Sequence, residues 1–370
     1  MTLELDAPDR QSLASLKASC TAHLLLPFQE LTLQIWADNP RITECLKRYY
    51  SGLTADTPTE NQPVQTVFLI DQKANTQGIN WTPVKRNKST SPLGLKEAYW
   101  DTAEGRWIHK VRTGMVFLQT LEAPLAMGEL SRHFSQVVNF INNQFLNVQQ
   151  RGGYLLGHAS AFTVDGEATA ITASSGGGKS TLMLKALESP GARFLSNDRI
   201  LFKPQPEGCA TEVLGVAKHP RVNPGTLVSS ARLAGLLSAA ERERYGQMPT
   251  AQLWDVEHKY DVLIPALYGD DKTALSGKLS TLVLLDWSLE ATTPTELSRV
   301  DIEQTPEALE GLRKGHGPFF QCSDGHFPPE QAPSCDVYAR QLKGVKVLRL
   351  SGEVDFERGI ELLKAEGLLA

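Results

Sequence analysis

The sequence predicts an α/β protein built on a mixed sheet, with a small α/β module ahead of the main domain. Three observations carry that reading. The strand-like run Ala168 to Thr172 leads into Ala173-Ser174-Ser175-Gly176-Gly177-Gly178-Lys179-Ser180-Thr181, and a helical run, Leu182 to Leu187, follows. Before it, Tyr154 to Val164 reads as a strand that Asp165-Gly166 turns back toward the loop, a hairpin that forces antiparallel pairing. Elsewhere, segments with a period of two alternate with segments at helical spacing.

From Ser12 to about Leu53 the pattern is helix, strand, helix: Leu31 to Trp36 alternates and Ile42 to Tyr50 repeats apolar residues at helical spacing. Thr66 to Ile70 is a further strand, and the polar stretch Gln72 to Leu95 suits a linker. Residues 1–95 are therefore expected as the amino-terminal module with its linker and 96–370 as the main domain. Strands follow at Ala98 to Asp101, Arg106 to Val111 and Thr113 to Leu121, then one long helix from Pro124 to Gln150. Beyond the loop helix, strands are expected at Arg193 to Leu195, Ile200 to Phe202 and Glu212 to Val216. A helix spans Leu227 to Tyr245, the apolar strand Leu279 to Asp286 comes next, and a strand at Val345 to Leu350 with a helix from Phe356 to Leu368 closes the chain.

The chain has 370 residues, 41% hydrophobic and 21% charged, which is the composition of an ordinary globular protein. A formal charge of -5 argues against a general nucleic-acid or anionic-membrane surface, so any polyanion should meet a local basic pocket. No uncharged stretch reaches membrane-spanning length and no secretory signal is apparent. The five scattered cysteines fit a reducing compartment and core filling, and a cytoplasmic, bacterial-type enzyme is the expectation.

The loop carries the chemistry. Glycines let successive backbone N–H groups converge on one anion, and the helix behind aims its N-terminus at it. Lys179 then reaches the β- and γ-phosphates of a nucleotide and Ser180 ligands Mg²⁺, the Walker A arrangement, although Ala173 stands where that pattern has its first glycine. Asp198, at a strand end 19 residues after Lys179, is the nearest acid for the metal; a turn-forming Asp in Asn197-Asp198-Arg199 is the other reading of the same residues.

Gly157-His158, the loop, Ser196-Asn197-Asp198-Arg199-Ile200 and Lys218-His219-Pro220-Arg221-Val222-Asn223-Pro224-Gly225-Thr226 together resemble the ordered motifs of the HPr kinase/phosphorylase family, most closely its HprK-related kinase B group. The resemblance spans about Arg106 to Leu350 and implies a carboxykinase-like P-loop core with a mixed sheet. It also implies an ATP- and Mg²⁺-dependent kinase that phosphorylates a hydroxyl, a serine of a protein or peptide. By that resemblance, Ser174, Ser175, Gly176, Gly177, Gly178, Lys179, Ser180 and Thr181 hold the nucleotide, with Lys218 beside them. Asp198 matches the family's second aspartate, and His158 matches the histidine that supports the catalytic acid. Lys218 and Arg221 supply cations to the transferred group, and Glu212, in a segment where Leu214 replaces an expected arginine, is a second metal contact. The family's first aspartate, the base toward the acceptor, is Asn197 here. Asparagine cannot accept a proton, so Asp198 or another carboxylate takes that role, or transfer is slow or absent. The family's kinases assemble as rings, which leaves a homo-oligomer compatible with the resemblance, though no heptad in the sequence specifies one.

Other patterns compete. Leu282 to Asp286 fits the metal-binding strand of an ordinary P-loop ATPase, and Asn197 also fits a nucleotide-binding sensor without transfer. Trp254 to Val262, with Asp255, Glu257, Lys259 and Asp261 alternating, reads as an amphipathic strand. His316, Cys322, His326 and Cys335 suggest zinc by residue type, but their spacings match no ligand pattern.

Overall fold

The structure is a computed structural model describing residues 3–4, 10–84, 95–174, 176–204, 210–256 and 258–370. Two compact units divide it: residues 1–152 with 316–330, and residues 153–315 with 331–370. The expected boundary near residue 95 thus falls inside the first unit.

Sheet pairing gives the reason. The first unit contains α1 (Arg10–Ala18), β1 (Ala22–Phe28), β2 (Leu31–Ala37), α2 (Pro40–Tyr49), β3 (Val64–Ile70), β4 (Glu97–Thr102), β5 (Gly105–Lys110), β6 (Met115–Gln119), β7 (Leu125–Met127) and α3 (Phe134–Arg151). β7 lies parallel to β3 and antiparallel to β6, so β4 to β7, assigned by sequence to the later domain, extend the amino-terminal sheet. The order is β1-β2-β3-β7-β6-β5-β4, with the short strand Thr82–Pro83 at the end beside β4. That short strand belongs to the stretch expected as linker, of which residues 85–94 lie outside the described residues. β1 is the strand the helix-strand-helix reading omitted. On one face, Leu13 of α1 and Cys20 pack with Ile70, Trp107, Val116 and Leu118. Phe28 packs edge-on to Phe145 of α3, and Phe117 packs against Phe140 and Phe319. α3 begins ten residues later than the sequence suggested, because β7 consumes Leu125–Met127 and Gly128 turns out of it with a φ of 145°.

The second unit contains β8 (Leu155–Gly157), β9 (Ser160–Val164), β10 (Glu167–Thr172), α4 (Lys179–Ala186), β11 (Arg193–Ser196), β12 (Ile200–Pro204), β13 (Thr211–Gly215), α5 (Pro224–Val228), α6 (Ala239–Gly246), α7 (Thr250–Trp254), α8 (Ile264–Tyr268), β14 (Ser276–Ser288), β15 (Glu296–Arg299), α9 (Cys335–Gln341), β16 (Lys346–Glu353) and α10 (Phe356–Ala365). Nine strands form its sheet in the order β8-β12-β13-β14-β10-β9-β11, with β16 paired to β14 and β15 to β16. β9 and β10 are the antiparallel hairpin the sequence announced, whereas β10 runs parallel to β14, so the sheet is mixed.

One face of this sheet packs Ile171, Val283 and Leu285 against Leu182 and Met183 of α4 and Leu363 of α10. Three expected elements are interrupted. The strand Tyr154 to Val164 breaks at His158-Ala159 into β8 and β9. The helix Leu227 to Tyr245 becomes α5, a 3-10 turn at Ala234–Leu236 and α6, which restarts where Ser238 caps it in a capping box with Glu241. The strand Trp254 to Val262 shrinks to Tyr260–Asp261, since α7 runs to Trp254; Glu257 lies outside the described residues. Among the described residues no helix is long and apolar enough to cross a membrane.

Candidate functional site

The glycine loop joins the end of β10 to the start of α4. Gly178 is the residue before the helix, left-handed with a φ of 89°, and it brings no capping side chain. The first backbone N–H groups of α4 therefore have no intrahelical partner and stand ready for an anion. A Cβ at Gly178 would come within 2.9 Å of Phe356 Cε1, so the loop also lies too close to α10 for a side chain there. The departure at Ala173 is absorbed in the same way: a Cβ at residue 177 would sit 2.7 Å from the Ala173 Cβ, and residue 177 is glycine. Trp287 Nε1 donates to the Gly177 carbonyl at 3.1 Å and steadies the loop from β14. Ser175 lies outside the described residues.

Lys179 is only 8% exposed and spans the loop, donating to the carbonyls of Ala173 at 3.1 Å and Ser174 at 2.9 Å. Burial pulls its pKa down to about 8; Asp198 opposes that, and Lys314 and Lys259 add to it. Thr181 shares a hydroxyl contact of 2.7 Å with Thr226 of α5. Beside these residues opens a cavity of about 400 Å³ lined by Gly176 to Thr181, Arg221, Lys259, Leu253, Trp254 and Phe356. Its volume is that of a small-molecule site, and its walls mix apolar side chains such as Leu253, Trp254 and Phe356 with the cations Lys179, Arg221 and Lys259.

The two residues of the Asn197-Asp198 pair face different partners. Asn197 Oδ1 accepts from Ser180 Oγ at 2.7 Å and from Ser160 Oγ at 2.8 Å. The group on Ser180, the serine expected to ligand the metal, is thus Asn197 and not Asp198. Asp198 instead points at His158, whose Nε2 lies 3.6 Å from its carboxylate, and at Arg199, also at 3.6 Å. Its backbone is left-handed with a φ of 71°, a conformation that costs about 1 kcal/mol in a non-glycine residue. The turn is clamped by Ser196, whose hydroxyl donates to the Arg199 carbonyl and accepts from Val216 N at 3.0 Å.

Electrostatics fix the protonation states. Burial raises the Asp198 pKa, but Arg199, Lys314, His158 and Lys218 together outweigh it, and the group is held below the ordinary carboxylate value. Burial pulls His158 down to about 4, with Lys179 adding to the shift and Asp198 opposing it. At neutral pH the pair is therefore a carboxylate beside a neutral imidazole, 3.6 Å being too long for a hydrogen bond. Lys218 is lowered by burial, with Asp198 opposing that and the cations Arg199 and Arg221 reinforcing it.

Lys314 is the site residue that sequence reasoning missed. Its segment is held against β8, because His158 N donates to Leu312 O at 2.7 Å and Lys314 N donates to the Tyr338 hydroxyl at 2.9 Å. No motif marks it; its proximity comes from a buried tyrosine on a later helix.

One expected residue is not brought to the phosphate loop. Glu212 stands in register with Lys278, itself opposite Glu167, at the start of β10 and not at the end that carries the loop. The five steps from Glu167 to Thr172 place Glu212 roughly 16 Å along the sheet from the loop end. There it accepts from the Tyr154 hydroxyl at 2.6 Å, so it is no metal contact. Arg221 lines the cavity together with the loop residues and pairs with Asp261 at 3.0 Å. Asp286, the acid of the ATPase reading, alternates with Leu285 and Trp287 along β14. Trp287 reaches the loop, which puts Asp286 on the opposite face, 3.6 Å from Arg349.

The Ser180 hydroxyl and the Asn197 amide oxygen are hard, neutral oxygen donors. They fit Mg²⁺, which takes few protein ligands and completes its shell with phosphate oxygens and water.

No family model matches this chain, and no curated protein sequence matches it. Among solved structures, the Hpr(Ser) kinase/phosphatase from Coxiella burnetii is similar at 13% sequence identity and a TM-score of 0.28, over 57% of this chain and 95% of that one. A score at that level carries no weight for the chemistry, which rests on the geometry above.

Proposed function

We propose that the second unit binds a nucleoside triphosphate, ATP in the simplest case, and transfers its terminal phosphoryl group to a hydroxyl acceptor, a serine of a protein or peptide. The observation that carries this is the Asn197-Asp198 pair: one residue holds the loop serine, and the next places an ionised carboxylate among four basic side chains. The loop N–H groups and Lys179 hold the phosphates, and the cavity beside them takes the nucleoside. Ser180 and Asn197 hold Mg²⁺, which when bound neutralises phosphate charge.

Asp198 and His158 do not line that cavity, which leaves their side for the acceptor. In the transfer, the acceptor oxygen bonds to the terminal phosphorus, the bond from phosphorus to the bridging oxygen breaks, and the acceptor's proton passes to the Asp198 carboxylate. Lys179, Lys218 and Lys314 stabilise charge on the moving group. His158, neutral and 3.6 Å away, does not compete for the proton.

The test is incubation with γ-labelled ATP, Mg²⁺ and a cell extract, beside Lys179→Ala and Asp198→Asn. Label on a protein or small molecule that disappears in both variants supports the proposal. Loss in Asp286→Asn but not in Asp198→Asn overturns it in favour of the ATPase reading. A second reading, a sensor that binds nucleotide without transfer, is favoured by the neutral Asn197; ATP binding with no label moved to any acceptor selects it.

A further inference from the structure

The first unit carries a second cluster of chemically distinct donors, none of which the proposed function uses. Cys322, Asp324 and His326 lie on one five-residue turn, and their sulfur, carboxylate and imidazole atoms all fall within 4.8 Å of one another. Sequence reasoning grouped His316, Cys322, His326 and Cys335; the fold keeps two of these and adds Asp324.

The turn is built to hold them on one side. Cys322 N donates to His326 O at 2.9 Å and Gly325 N donates to Cys322 O at 2.9 Å, while Gly325 takes a φ of 90° that suits glycine. His326 N donates to the Asp324 carboxylate at 3.2 Å, and the ring nitrogen Nδ1 lies 2.6 Å from the same oxygen. Two interactions anchor the turn from below. Arg151 at the end of α3 donates to Gln321 O at 3.2 Å, and Gln321, only 5% exposed, donates its amide to Gly325 O at 2.9 Å. Among the described residues the buried side-chain oxygen of Gln321 has no hydrogen-bond partner.

We propose that Cys322, Asp324 and His326 form a site for a divalent ion of the zinc class. A sulfur, an imidazole nitrogen and a carboxylate oxygen are the three donor types zinc takes, and the thiolate selects against Mg²⁺ and Ca²⁺. Thiolate and carboxylate together balance the charge of the ion. Metal–sulfur bond formation releases the Cys322 proton to solvent, and the metal replaces the hydrogen-bonding proton between His326 Nδ1 and the Asp324 carboxylate, which exchanges through solvent to His326 Nε2. Three protein donors leave a coordination position for water or for an incoming group.

The test titrates the full chain, stripped of metal, with Zn²⁺ and separately with Co²⁺. The expected result is one ion per chain and a thiolate-to-cobalt charge-transfer absorption. Affinity should fall about a hundredfold in Cys322→Ser and in His326→Gln and stay unchanged in Cys335→Ser. Since a variant can lose binding by misfolding, alkylation of the unaltered protein is mapped as well: Zn²⁺ should protect Cys322 while Cys45 and Cys335 react as before. Equal alkylation of Cys322 with and without Zn²⁺, or binding that survives in both ligand variants, overturns the site.

Discussion

The two units are both mixed sheets with buried strands, yet they dispose of charge in opposite ways. In the first, buried charges come in pairs. Glu97 and Lys110 meet across β4 and β5, and Arg106 grips Asp101 with two bonds of 2.6 and 2.9 Å while Tyr99 and Phe327 cover its guanidinium. In the second, Lys179, Lys218, Lys314 and Arg199 converge on the single carboxylate of Asp198. Balanced pairs hold a fold together and ask for nothing from outside. Two of these lysines are depressed first by burial and further by neighbouring cations, a cost to the fold that an anionic ligand would relieve.

That contrast can be broken by experiment, most sharply at Lys179. Lys179→Met should weaken nucleotide binding about a hundredfold or more, the worth of charge-assisted bonds to phosphate, while the melting temperature holds or rises because a buried ammonium is gone. Calorimetric titration beside a thermal melt checks both; an equal loss of stability would make Lys179 structural. Glu97→Gln should do the reverse. Leaving Lys110 without its carboxylate costs the first unit about 3 kcal/mol in denaturant unfolding, with nucleotide affinity unmoved. A parallel drop in nucleotide affinity would deny that the pair is purely structural.

The gentlest probe is pH. Lys179 must be protonated to grip phosphate, and its pKa is pulled down to about 8. Raising the pH above that value deprotonates the free protein, so affinity should fall by up to about tenfold per unit, with proton uptake on binding. Affinity that stays flat between pH 8 and 10 would contradict the low value.

The sequence made the local parts of the site legible, because each is a short-range signal. The hairpin, the glycine loop, Lys179 and Ser180 follow from turn residues and spacing, and His158 and Asp198 from motif order. What stayed hidden depends on distant pairing. That Asn197, and not Asp198, turns to Ser180 is decided by a left-handed backbone angle at Asp198. Lys314 arrives through Tyr338, and Glu212 departs through strand register, which runs of residues in one sequence do not encode. The unit boundary was misread for the same reason: β7 looks like the start of a helix until β3 is beside it.

The first unit closes with a segment, residues 316–330, that the ribosome makes only after nearly all of the second unit's sheet strands. Phe319, which packs on Phe117 and Phe140, emerges 179 residues after Phe140. At about 5–20 residues per second that is a wait of roughly 10 to 35 s. Through that interval an aromatic face of the first unit stays uncovered, so the growing chain is most exposed to aggregation and to chaperones while its second unit is being made.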